Sequence, residues 1–179
     1  MANSPLVSYT RLSPNHSGRR THAIDRITPH AVVGQLSVEC ICDCFKDGSR
    51  QASCNYCIGA DGRIGLCVDE QNRSWCSSSR DNDQRAVTIE CASDLTEPYA
   101  MKPEVYLALI DLCADICRRN GKRRLVWIAD RDEALKYEVR EGEILLIVHR
   151  WFARKSCPGN WLFERMGDLA QVVNSRLGE

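Results

Sequence analysis

The chain has 179 residues, 44% of them hydrophobic and 27% charged, with 24 basic residues against 24 acidic ones. That length suits one domain with a real core, and a formal charge of zero gives no bulk electrostatic grip on nucleic acid or on an acidic membrane surface. No apolar run approaches the roughly 18 residues of a membrane helix. The opening stretch MANSPLVSYTRLSPNHSGRR holds no signal-peptide core, so the chain is expected to be made in the cytoplasm and to reach any outside target by another route.

There are 11 cysteines. An odd count without a signal speaks against a secreted disulfide framework, and most are expected to be reduced, buried small hydrophobes. Cys113 and Cys117 stand at i, i+4 on a helical stripe and read as core. Cys40 and Cys44 share a helix face. Cys54 and Cys57 form a C-x-x-C, but in a strand residues three apart point to opposite faces, which argues against a second metal site there.

In chain order, residues 1–21 are polar, with Pro5 and Pro14, and read as an N-terminal arm; residues 22–179 form the folded domain. AIDRITPHAVVG reads as a short strand ending at His30, with Pro29 at a strand end or edge because it cannot donate to a ladder. Ser37 can cap a helix, VECICDCFKDG, with the stripe Val38, Ile41, Cys42 and Phe45. ASCNYCIG and RIGLCVDE, joined by Ala60-Asp61-Gly62, carry a hairpin signal. NRSWCSSSRDND is a polar loop whose Trp75 is either a binding platform or a loop anchor.

QRAVTIECAS alternates as a strand, with Val87, Ile89 and Cys91 on one face and Thr88, Glu90 and Ala92 on the other. Glu90 is a carboxylate amid apolar residues. It is either solvated or turned into a cleft, where burial raises a carboxylate pKa and makes it a base. Pro103 opens the longest helix, with the stripe Val105, Leu109, Leu112, Cys113, Ile116 and Cys117; Arg118 and Arg119 suit its last turn and Gly121 ends it. RRLVWIA is a further strand, residues 130–142 a charged surface insertion, and residues 161–177 a final helix with Leu162, Met166, Leu169, Val172 and Val173 on its apolar side. Strands mixed with helices of these lengths imply an α/β domain whose central sheet is covered on both faces.

The segment VHRWFARKSCPGNW holds His149 and Cys157, with Lys155 two residues before the cysteine. The apolar ILLIV before it would deliver His149 to a strand end, and Pro158-Gly159 turns the chain at the thiol. Imidazole and thiolate are favoured zinc donors, but catalytic zinc takes three protein groups and keeps one position open. A third ligand must come from elsewhere in the chain, and His30 is a candidate.

The motifs ITPH, SCNYCIGADGRIG, AVTIECAS and HRWFARKSCPG, in that order, resemble zinc-dependent N-acetylmuramoyl-L-alanine amidases of the phage-endolysin type, related to peptidoglycan recognition proteins. The likeness runs over residues 22–178. It implies a mixed central β-sheet flanked by helices, with Zn²⁺ at the base of an open groove. It places His30, His149 and Cys157 on the metal ligands, Lys155 on the lysine preceding the ligand cysteine, and Glu90 on a catalytic glutamate. The family cleaves the amide between N-acetylmuramic acid and L-alanine of the stem peptide. Glu90 would then move the proton and Lys155 stabilise the oxyanion, with Trp75 and Trp151 as groove walls.

Two departures stand out. Ala31 replaces a second histidine found in many members, and Cys54 replaces a tyrosine found in some, for which Tyr56 could partly substitute in binding substrate. The expected partner is bacterial peptidoglycan, met by a monomer after release of an endolysin or autolysin, with no nucleic acid or membrane involved. One alternative is a non-catalytic peptidoglycan-binding module of the same fold, although such modules typically lack the ligand cysteine. Another is a cysteine-rich zinc or redox protein unrelated to cell walls.

Overall fold

A computed structural model describes residues 2–178. The first strands, β1 (Val7–Thr10) and β2 (His16–Arg19), come from the N-terminal segment, and β3 (Arg26–Ala31) is buried along its whole length. Ser37 caps α1 (Val38–Asp43), its hydroxyl accepting from the Cys40 N–H at 3.3 Å, which satisfies one of the free donors of the first turn. β4 (Tyr56–Ile58) and β5 (Ile64–Leu66) form the expected antiparallel hairpin. Gly62 in its turn has φ +81° and lies so close to α3 that a Cβ would meet the Glu104 carbonyl oxygen at 2.9 Å, so only glycine fits.

Next come β6 (Asn72–Ser74), α2 (Arg80–Arg85) and β7 (Ala86–Cys91). α3 (Pro103–Arg119) begins with proline in its first turn and ends on two arginines, which suit the helix dipole. β8 (Arg124–Val126), α4 (Arg131–Lys136), β9 (Glu143–Leu146), α5 (Asn160–Phe163) and α6 (Met166–Leu177) complete the chain.

Seven strands form one sheet in the order β1-β5-β4-β7-β3-β9-β8, with only the β4–β5 pair antiparallel; β2 and β6 pair separately. The domain is therefore α/β with a mixed sheet. Every residue of β3, β4, β5 and β9 is buried, as expected of strands covered on both faces. The core includes Ile27, Val87, Ile89, Leu109, Leu112, Ile116 and Leu145, none more than 0% exposed.

Several local expectations are corrected. Pro29 lies inside a central strand, yet the rule behind its placement holds. Ile27 turns its carbonyl toward β9, accepting from Ile147 at 3.0 Å. Pro29, two residues on, turns its donorless nitrogen the same way, past the last β3–β9 pair at Ile27 and Leu146. β9 ends at Leu146, and His149 opens a short 3₁₀ turn (His149–Trp151) instead of closing a strand. The polar stretch after Trp75 contains α2, and the last helix is two pieces, α5 and α6. The N-terminal segment contributes an edge strand, β1, parallel to β5.

Tyr56 and Trp151, expected along a substrate groove, are 0% and 7% exposed. The Tyr56 hydroxyl donates to Glu70 Oε2 at 2.6 Å and accepts from the Ser4 N–H at 2.9 Å. Trp151 stacks on Trp127 with ring centroids 5.5 Å apart. Both side chains pack inside the fold and line neither cavity of the site.

Candidate metal centre and groove

His30 and Glu90 are register partners on the parallel strands β3 and β7, so both side chains leave the same face near the strands' C-terminal ends. There β9 has ended at Leu146, and the segment that follows brings His149 and Cys157 to His30. In open α/β sheets this end is where ligands bind. The segment is tied to itself: the Arg150 N–H donates to the Cys157 carbonyl at 3.0 Å, and the Arg150 guanidinium donates to the Ser156 carbonyl at 2.5 Å. Gly159 then passes so close to the Pro98 carbonyl that a Cβ would stand 2.6 Å from it, at φ +84°, and this turn fixes Cys157.

Cys157 Sγ lies 3.3 Å from His30 Nδ1, and the His30 and His149 rings stand 5.1 Å apart at 61°. One donor atom each from His30, His149 and Cys157 falls within 4.8 Å of the others. Glu90 Oε1 is 4.0 Å from His30 Nδ1. Burial pushes the His30 imidazole well below its usual range, with the neighbouring His149 adding to the shift. Burial also lowers His149, followed by the charge of Lys155. Both rings are thus neutral near pH 7, the form that binds a cation. Burial pushes the Glu90 carboxyl up to about 7 and raises the Cys157 thiol.

The donor set carries the fit test for a metal. His30 turns Nδ1 toward Cys157 Sγ at 3.3 Å, and one donor atom of His149 lies within 4.8 Å of both residues' donors. The donor set suits zinc: nitrogen and sulfur, three groups, with one side open to the groove. The residues therefore fit the ion.

Residues that sequence reasoning did not single out complete the site. The Ser78 hydroxyl meets His149 Nε2 at 2.8 Å, from a backbone at φ +61°. That strained loop is held by Asp83, which accepts from the Cys76 N–H at 3.0 Å and the Ser77 hydroxyl at 2.6 Å, and Ser79 caps α2. Fixing the outer nitrogen of an imidazole ligand sets its ring orientation. The Cys76 thiol points at Glu90 Oε1 from 3.8 Å. Tyr99 joins His30, Glu90, His149, Lys155 and Cys157 around a cavity of about 240 Å³. An adjoining groove of about 420 Å³ shares His149 and Lys155 and is lined further by Arg73, Trp75 and Arg80. Trp75 is half-buried, its indole N–H donating to Ser17 Oγ at 2.7 Å. It is thus both anchored and presented to the groove. Of the eight site residues read from sequence, His30, His149, Cys157, Glu90 and Lys155 meet at one place, Trp75 flanks it, and Tyr56 and Trp151 line neither cavity.

Residues 20–160 match the family model described as N-acetylmuramoyl-L-alanine amidase. No curated protein sequence matches the chain. Among solved structures, the hydrolase AmiA of Staphylococcus aureus, in complex with its ligand, superposes with a TM-score of 0.65 at 12% identity, over 98% of this chain and 84% of that one. The endolysin N-acetylmuramoyl-L-alanine amidase LysCS of Clostridium intestinale gives 0.57 at 18% identity, over 90% and 95%. The Drosophila peptidoglycan recognition protein SA gives 0.60 at 13%, over 89% and 91%. At these identities the likeness is one of fold.

Proposed function

The chain belongs to the N-acetylmuramoyl-L-alanine amidase family, and we propose that it acts as a zinc-dependent hydrolase of bacterial peptidoglycan, cutting the amide between N-acetylmuramic acid and the L-alanine of the stem. The observation that supports the zinc reading is the convergence of His30, His149 and Cys157, with His30 Nδ1 turned to Cys157 Sγ at 3.3 Å. Zinc, when bound, supplies a Lewis acid and lowers the pKa of its water toward 7.

The chain's own residues do the rest. Glu90 stands at the cavity wall with its side chain 14% exposed, and its carboxylate would accept a proton from the attacking water and return it to the departing alanine amine. One C–N bond breaks, one C–O bond forms, and the water's protons end on the new carboxyl and amine. Lys155, exposed at the meeting of cavity and groove, carries the charge that offsets the developing oxyanion. Ser78 holds the His149 ring. Trp75, with Arg73 and Arg80, offers a stacking surface and cationic donors for the glycan–peptide along the 420 Å³ groove.

Within this reading residues 22–179 are the catalytic domain, to whose sheet the N-terminal arm adds the edge strand β1, acting as a monomer on the cell wall in the manner of an endolysin or autolysin. No helix among the described residues is long and apolar enough to cross a membrane. The test is Cys157→Ser. It should lower bound zinc by one equivalent per chain and abolish lysis of wall suspensions in parallel. Full lysis by a variant that has lost that equivalent would refute the zinc reading.

A further inference from the structure

A second group of soft donors lies outside this centre. Cys42 on α1, Cys57 on β4 and Cys67 just after β5 bring their sulfurs together in the core. Cys42 Sγ is 3.5 Å from Cys57 Sγ and 3.4 Å from Cys67 Sγ, and all three lie within 4.8 Å of one another. None is more than 1% exposed. We propose that Cys42, Cys57 and Cys67 form a second metal site, a buried all-sulfur site for a thiophilic cation such as Zn²⁺.

The spacing supports this directly. With Zn–S bonds of about 2.3 Å, tetrahedral geometry sets neighbouring sulfurs about 3.8 Å apart, so the contacts need open by only a few tenths of an ångström. A disulfide would require one pair to close to about 2.05 Å inside a packed core and would leave the third thiol without a partner. Space for the sulfurs is kept by Gly65, the cross-strand partner of Cys57. A Cβ there would stand 2.8 Å from Cys57 Sγ and 3.0 Å from Cys42 Sγ. Beyond the other sulfurs, Cys57 has only a long contact, 3.8 Å, to the Val38 carbonyl. Buried cysteines need not cluster in this way: Cys113 and Cys117, also 0% exposed, join no such group among the described residues. All-sulfur donors exclude magnesium and calcium and select soft or borderline ions. Each thiol that ligates releases its proton to solvent.

The C-x-x-C expectation is thereby refined. Cys57 groups with Cys42 of α1 and with Cys67, the residue after β5, while Cys54 lies outside the trio with its thiol against Cys67. The site shares no residue with His30, His149 and Cys157 and stands independently of the proposed function.

The test uses the full chain, held reduced with a phosphine, stripped of metal, reloaded with Zn²⁺ alone and freed of excess. Metal analysis is combined with X-ray absorption at the zinc edge, which counts sulfur neighbours. Wild type should hold two equivalents. Cys157→Ser, which leaves the cluster intact, should fall to half that content, the remaining zinc having sulfur as its main neighbour. Cys42→Ala should also fall to half, its remaining zinc having mainly nitrogen neighbours. Retention of no zinc by Cys157→Ser, or of zinc with mainly nitrogen and oxygen neighbours, would overturn the proposal, even where Cys42→Ala fails to fold. If wild type and Cys157→Ser each carry one sulfur-rich zinc, the cluster stands and the His30–His149–Cys157 reading fails.

Discussion

Tyr56→Phe distinguishes a structural tyrosine from a substrate-binding one. The ring fills the same volume, so no cavity opens, and only the hydroxyl is lost. That hydroxyl donates to Glu70 Oε2 at 2.6 Å and accepts from the Ser4 N–H at 2.9 Å. Glu70 is 0% exposed and keeps Arg119, at 2.7 and 2.9 Å, and Asn120, at 3.0 Å, so it remains paired. The Ser4 N–H is left without its acceptor. A hydrogen bond to a charged group is worth about 1.5–3 kcal/mol and an orphaned buried donor costs about 1–3 kcal/mol, so with Glu70 still paired the net loss is about 2–4 kcal/mol. For a chain of this size that lowers Tm by roughly 5–15 °C. Urea denaturation and thermal scans measure it, while wall lysis at varied substrate gives KM. The expected result is lower stability with KM unchanged. An unchanged Tm with KM raised several-fold would refute the buried placement of Tyr56.

Glu90→Gln should keep zinc and fold while kcat drops by about 10²–10⁴-fold, the usual contribution of a general acid–base group; turnover and metal content on one preparation check it. Trp75→Ala should raise KM with little loss of stability, read by lysis kinetics beside a melting curve, since its ring lies in the groove wall. Gly65→Ala should destabilise by about 1–3 kcal/mol through overpacking, because its Cβ would press within 2.6 Å of Val38 Cγ2; urea midpoints test this. Ser78→Ala should weaken zinc binding by about 10-fold or more, as loss of a ligand's outer hydrogen bond does, measured by competition with a chelator.

Much of the framework was legible because it is written in local chemistry. Ser37, Pro103, Arg118 and Arg119 mark helix ends by what they satisfy, and Asp61-Gly62 marks the hairpin. Alternation in β7 put Glu90 opposite Ile89, and its pairing with His30 completes that argument. What stayed hidden lacks a periodic signal. α2 buries Asn82 and Asp83, polar residues that work through hydrogen bonds to Ser77 and Thr28, so no apolar stripe announces it. Strands covered on both faces bury every position, and alternation could not show that Tyr56 faces Glu70 and not a groove. Trp151 reads as an exposed aromatic next to a ligand until Trp127, distant in sequence, stacks on it. The meeting of Cys42, Cys57 and Cys67 joins a helix to a hairpin, and spacing within one strand says nothing of it.

Digestion of purified peptidoglycan with mass analysis of the products reads directly which bond is cut. The predicted products are free stem peptides beginning with L-alanine and glycan strands of undiminished length, with loss of the reaction in Cys157→Ser. New reducing ends without released stems, or peptides cut within the stem, would contradict this prediction.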